Sequence, residues 1–229
     1  MQVRISKIIS KLLVSLIPMI LSTYSSAGEW KKLGNSTLQF EGRIHFGDHQ
    51  NFLNLMTEDI KSIEVNSRGG IVGEAILIGE KIFDFKLDII VNGLCLSSCA
   101  NYLFVAGKKK KIKSGLVGFH GNTTAMYKQN WEGTVMDMRS EGLSPHEIEE
   151  FKIDTLKEIA LEREFFKKIG VKQALFDRTQ RPDMGIGDNK KYDFLVPSIK
   201  TLNSYGIYLV EGHQDLSLAK KFNFKSVYQ

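Results

Sequence analysis

Apolar positions in this 229-residue chain recur at two spacings that alternate along it, first in steps of two and then in steps of three or four. Residues 37–46 alternate in strand fashion. Asp48 is placed to cap a helix that runs through Phe52, Leu53, Leu55 and Met56, and residues 60–66 read as a short strand. After Gly69-Gly70, the positions Ile71, Ala75, Ile78 and Ile82 fall at helical spacing up to about Phe85. Residues 87–91 then form a β-branched run typical of a buried parallel strand. A turn of cysteines and serines follows, then an apolar helix over 100–106, a stop at Gly107, a run of lysines, and a strand over 116–119. This β-α-β-α-β order predicts an α/β fold with a mostly parallel sheet flanked by helices.

The pattern changes at Ser144. Ser144-Pro145-His146-Glu147 is a capping box with proline in the first helical position, and it predicts one long helix over 144–169, ended by Gly170. Its apolar side carries Ile148, Phe151, Leu156, Ile159, Phe165 and Phe166, with Glu149, Glu150, Lys157, Glu158 and Glu162 placed elsewhere. A helix of this length projects as well as packs. Beyond it come a polar loop over 179–191, an extended stretch over 194–197, a short helix over 198–204, and the turn Tyr205-Gly206 leading to a terminal strand. No repeat, low-complexity tract or Pro/Gly-rich linker divides residues 28–229, which predicts a single domain.

The start of the chain stands apart. Arg4, Lys7 and Lys11 precede or enter an apolar run over 8–21, which ends in Ser22-Thr23-Tyr24-Ser25-Ser26-Ala27. Residues 1–27 therefore read as a secretory signal peptide with cleavage after Ala27, and the protein is expected to be exported to the periplasm or beyond. The shortness of the run and Pro18 within it argue against a full membrane span, so membrane contact is expected only through the uncleaved signal. Removing this segment takes away three positive charges and no acidic ones, which lowers the formal net charge from +5 to +2. The dense basic cluster of Lys108 to Lys111 with Lys113 lacks the interleaved aromatics of a base-stacking surface. It is expected to be a solvated turn, with no nucleic-acid partner.

Three stretches carry candidate chemistry. Asn66-Ser67-Arg68-Gly69-Gly70 can bring backbone N–H groups close to a ligand, because no Cβ stands in the way at the paired glycine. Cys95-Leu96-Ser97-Ser98-Cys99-Ala100-Asn101 places serine hydroxyls at a strand-to-helix junction, where the unpaired N–H groups of the helix start favour developing negative charge. Gly118-Phe119-His120-Gly121 closes a strand with an imidazole at the same carboxyl edge of the sheet. Nucleophile, base and oxyanion donors are the parts of an acyl-transfer site. The two cysteines are four apart, a spacing compatible with a disulfide in an exported protein and with two buried thiols in a reducing compartment. His45, Asp48 and His49 lack a fourth ligand, His146 and His213 stand alone, and no metal or cofactor is expected.

The motif Ile63 to Gly70, the stretch Gly93 to Gly107, the Phe119-His120 strand end and Ser204-Tyr205-Gly206-Ile207 together resemble the Clp protease and crotonase superfamily, in particular exported proteins similar to the Clp proteolytic subunit. The resemblance implies a spiral of β-β-α units with a mostly parallel sheet and one projecting helix. It implies Ser98 as nucleophile when the motif is counted back from Ala106-Gly107, and Ser97 when it is counted forward from Gly93, the backward count being preferred. It further implies His120 as base, Asp193 as the acid with Asp183 and Asp188 as alternatives, and an oxyanion hole from Gly69, Gly70 and the Cys99 N–H. Assembly into a homo-oligomer through the helix over 144–169 is implied as well. The expected function is an exported serine hydrolase acting on peptides or proteins. A catalytically silent binding or scaffold protein of the same fold is the alternative, and an acyl-thioester enzyme ranks last because no coenzyme A nucleotide site is visible.

Overall fold

Six strands form the main sheet of the computed structural model, which describes residues 28–186 and 191–227. In chain order they are β1 (Glu29–Leu33), β2 (Thr37–Glu41), β3 (Ser62–Ser67), β4 (Asp88–Leu96), β5 (Lys110–Gly118) and β7 (Val210–Gly212), and they lie side by side in that same order. Only β1 runs antiparallel, against β2; every other pairing is parallel. A second, two-stranded sheet pairs β6 (Leu195–Pro197) with β8 (Lys225–Val227). The segment expected to be a signal peptide, and Asp188, lie outside the described residues.

Helices α1 (Asp48–Leu55) and α2 (Val72–Asp84) connect the first parallel strands, and a π-helix (Cys99–Phe104) follows β4. Then come α3 (Thr123–Ser140), α4 (Pro145–Ile169), α5 (Ala174–Thr179), α6 (Ile199–Ser204) and α7 (Leu216–Lys221). The alternation of side chains along β4 and β5 explains why both faces of the sheet are covered. Cys95 and Val117 enter the main core with Tyr102, Phe165 and Phe176, whereas their neighbours Leu96 and Leu116 pack on the other side with Val196, Ala219 and Phe224.

The long helix begins and ends where the sequence predicts. The Ser144 side chain accepts from the Glu147 N–H, the Glu147 carboxylate accepts from the Ser144 N–H, and Gly170 closes the helix in the left-handed conformation. Glu162 departs from the expectation of a polar outer face, since it is fully buried. The lysine run departs too. Lys108 and Lys109 form the turn, but Lys110 already belongs to β5, with its stem buried and its Nζ donating to the carbonyls of Gly107 (2.6 Å) and Tyr208 (3.2 Å). Alternation then turns Lys111 and Lys113 outward, so a run of lysines is compatible with a strand when every second one faces solvent. Burial pushes the Lys110 ammonium down to about 8.

Candidate active site

Strand β4 ends at Leu96, and the chain then turns through Ser97, whose φ of +54° puts a non-glycine residue in the left-handed region. That conformation costs on the order of 1–3 kcal/mol for a residue with a Cβ, and it lifts the side chain out of the path from strand to helix. The turn is held by the Ser97 N–H donating to Gly118 O at 3.2 Å and by the Asn101 N–H donating to Ser97 O at 2.8 Å. A Cys95–Cys99 disulfide spans it, with Cα atoms 5.2 Å apart, so the bridge clamps the two ends of the turn. Both cysteines are fully buried, while Ser97 between them is half-buried and open to solvent.

The imidazole arrives from the neighbouring strand. Beyond β5, Phe119 exchanges two backbone hydrogen bonds with Leu195 (2.8 and 2.7 Å), which fixes His120 at the carboxyl edge of the sheet. His120 Nε2 lies 2.6 Å from Ser97 Oγ. The ring is also packed edge-on against Phe194, with centroids 5.1 Å apart.

Ser98 occupies a different place from the one its expected role requires. It is 3% exposed, and its Oγ donates to Gly70 O at 2.8 Å, which ties the helix start to the Gly-Gly loop. The helix that follows supplies the physical reason why the backward count lands on Ser98 and not on Ser97, the serine beside His120. It is a π-helix over 99–104, which holds an extra residue per turn relative to an α-helix, so counting back from Ala106-Gly107 at α-helical spacing stops one residue short.

The paired glycine faces this turn. Gly69 has φ +82° and Gly70 φ +157°. A Cβ on Gly69 would stand 2.7 Å from Ser98 N and 2.8 Å from Ser97 Cβ, so only glycine permits that approach. The Gly69 N–H donates to Ser67 Oγ at 3.1 Å and is thereby engaged. The Gly70 N–H has no acceptor among the described residues. Ser98 and Cys99 open the helix, where N–H groups have no carbonyl one turn back. Of the expected oxyanion donors, the structure thus leaves Gly70 and the helix start available and occupies Gly69.

The candidate acids separate in a similar way. Asp183 is exposed and held by both nitrogens of the Arg181 fork (3.0 and 2.9 Å), which keeps its carboxyl below the usual range. Asp193 is exposed, and no described contact joins it to His120, although it immediately precedes the Phe194 that packs on the imidazole.

Three residues to which the sequence assigns no role hold the histidine segment in place. Asn101 Nδ2 donates to Gly121 O at 3.5 Å, and Asn122 Oδ1 accepts from the Ala125 N–H at 2.9 Å to cap α3. Buried Glu162 of α4 then accepts from the N–H groups of Thr123 (3.0 Å) and Thr124 (2.9 Å), from Thr124 Oγ1 (2.6 Å) and from the Tyr102 hydroxyl. A carboxylate at a helix N-terminus is favoured by the exposed N–H groups and the dipole there. Burial, reinforced by Glu162, pushes the Tyr102 phenol well above its ordinary value. Glu158, raised by its own burial, accepts from Thr123 Oγ1 at 2.8 Å.

No protein-family model and no curated protein matches this sequence. The solved structures it is similar to include an enoyl-CoA hydratase from Mycobacterium avium subsp. paratuberculosis K-10, at 9% identity and TM-score 0.34 over 44% of this chain and 50% of that one. They also include DspI of Pseudomonas aeruginosa, at 12% identity and TM-score 0.31 over 45% and 55%. A third, from a dehydratase/decarboxylase enzyme couple involved in polyketide β-branching, has 8% identity and TM-score 0.29 over 63% and 85%. The chain spans about half the length of the first two. Likenesses of this size carry no argument about chemistry, and the α/β architecture with its mainly parallel sheet rests on the strand pairings described above.

Proposed function

We propose that this protein is an exported serine hydrolase of the Clp protease and crotonase type, acting on peptide or protein substrates, with Ser97 as nucleophile and His120 as base. The observation that carries the reading is the 2.6 Å contact between Ser97 Oγ and His120 Nε2, made by a serine in a strained left-handed turn and open to solvent. A serine hydroxyl is a weak nucleophile until a base accepts its proton. Here His120 takes the Ser97 proton as Oγ attacks the acyl carbon, and the carbonyl electrons move to oxygen, where the N–H groups of Gly70 and Ser98 face the new charge. Collapse of the tetrahedral species expels the leaving amine, which takes the proton from His120. A water molecule, deprotonated by the same imidazole, then attacks the acyl-serine, and the acid is released as Ser97 is reprotonated.

The disulfide that clamps the nucleophile turn supports an oxidising location. Assembly through α4 is part of the same reading, supported by Phe151, Ile153, Leu156 and Leu161, which are 44–49% exposed along that helix. The test is hydrolysis of a fluorogenic peptide library and of an activated ester by the purified protein and its Ser97→Ala and His120→Ala variants. Both variants are expected to lose at least about a thousandfold in kcat/KM. Turnover by Ser97→Ala at the wild-type rate overturns the assignment.

A further inference from the structure

The second sheet does more than complete the fold, because Phe194 and Phe224, which directly precede its two strands, and Phe222 at the end of α7 form a continuous line from the imidazole to the loop of the paired glycine. His120 packs on Phe194 (5.1 Å between centroids), Phe194 on Phe224 (5.0 Å), and Phe224 on Phe222 (5.7 Å). Over the Phe222 ring lies the Arg68 guanidinium, its carbon 5.5 Å from the centroid. Arg68 directly precedes Gly69, whose α-carbon borders Ser97. The same ring has Lys221 Nζ 5.6 Å from its centroid, which places the two positive charges at most about 11 Å apart, close to one Debye length. Both residues are exposed, and neither forms an ion pair with an acid among the described residues.

Two cations set around a single aromatic ring both attract an anion that lies between them. The ring limits the freedom of a long, otherwise mobile side chain, so that little ordering remains to be done when the anion arrives. Arginine also offers a planar fork matched to a carboxylate. We infer that Arg68, aided by Lys221, is the specificity-determining residue of the Ser97 site and receives a carboxylate carried by the substrate. That carboxylate comes from an Asp or Glu side chain or from a free C-terminus. This inference rests on the hydrolase reading above.

The experiment measures kcat/KM for fluorogenic peptides in which one position at a time is Glu, Gln or Lys, each made with a free C-terminus and as the amide, while Ser97 labelling by a fluorophosphonate is followed in parallel. Wild type is expected to prefer the carboxylate-bearing member of a pair about tenfold, and less so as salt is raised. A Glu-over-Gln preference identifies the side chain as the source, and a free-acid-over-amide preference identifies the terminus. Arg68→Gln is expected to bring the ratio towards one and Arg68→Glu to reverse it in favour of Lys. Lys221→Gln, on an exposed helix end, lowers the ratio by a smaller factor and stands in if the Arg68 variants fail to fold. A structural role for Arg68 would instead lower both members of each pair together, and that result overturns the inference. Labelled Ser97 with a wild-type ratio of one overturns the inference alone, whereas absence of both labelling and hydrolysis overturns the hydrolase reading with it.

Discussion

The Ser97 turn and the Glu162 cap lie on either side of the segment His120-Gly121-Asn122, and they treat their polar groups in opposite ways. Glu162 is fully buried and accepts from four donors, two of them the first N–H groups of α3. Its carboxylate is closed off from solvent by those donors. Ser97 is half-buried, sits at φ +54°, and spends its hydroxyl on a titratable ring. A polar group with all its valences met by fixed partners holds structure. One with a strained backbone and an imidazole beside its hydroxyl has the arrangement that the proposed nucleophile needs. The two belong together, since the satisfied carboxylate anchors the helix that follows the histidine.

The largest expected effect is on the reactive side. Ser97→Gly should relieve the left-handed strain and stabilise the fold by about 1 kcal/mol, while lowering kcat/KM by roughly 10⁴-fold, a pairing of gain and loss read by urea unfolding and ester hydrolysis. A destabilised Ser97→Gly would remove the strain half of the contrast. On the satisfied side, Glu162→Ala leaves four donors buried without an acceptor and should cost about 3–5 kcal/mol of stability, with Glu162→Gln costing less. If Glu162→Ala unfolds at the wild-type urea midpoint, the cap is not holding α3.

Lys110 gives an intermediate case, a buried charge with two carbonyl acceptors and a pKa lowered to about 8 against 10.5 in the unfolded chain. Because the unfolded state binds more protons between these values, stability should rise as pH increases from 8 to 10.5, by up to about 3 kcal/mol. Lys110→Met should flatten that slope in unfolding titrations, and an equal slope in both proteins would assign it to another group. Loss of the Cys95–Cys99 bridge, which closes a very short loop, should cost about 2 kcal/mol. The Cys95→Ala/Cys99→Ala protein should label more slowly at Ser97, and equal labelling would show that the backbone bonds alone hold the turn. The smallest effect is expected for Ser98→Ala, about 1 kcal/mol for its one hydrogen bond to Gly70 O, measured by thermal unfolding.

What the chain makes legible follows from which forces are local. The α4 helix is read to its ends because a capping box and a left-handed glycine are local signals, and the parallel order of β3, β4 and β5 follows from apolar runs separated by helical spacing. Helix α3 is invisible by the same logic, since only Thr124, Ala125 and Met138 along its 18 residues are buried and no apolar stripe marks it. Strand β1 buries Trp30 alone. At the site, the glycine pair, the histidine and the cysteine spacing are readable as residue types. The choice between two adjacent serines is not, because it depends on a π-helix and on one dihedral angle that leave no mark in composition. Glu162 is hidden for a related reason: a carboxylate on a long helix looks solvent-facing until the N-terminus it caps is placed beside it.

The most direct test of the central claim uses the fact that both serines lie in one tryptic peptide, residues 87–108. After treatment of the native protein with a fluorophosphonate, reduction and tandem mass spectrometry, the adduct is expected on Ser97, and on neither serine when His120 is replaced by alanine. An adduct on Ser98, or labelling that persists unchanged without His120, would contradict it.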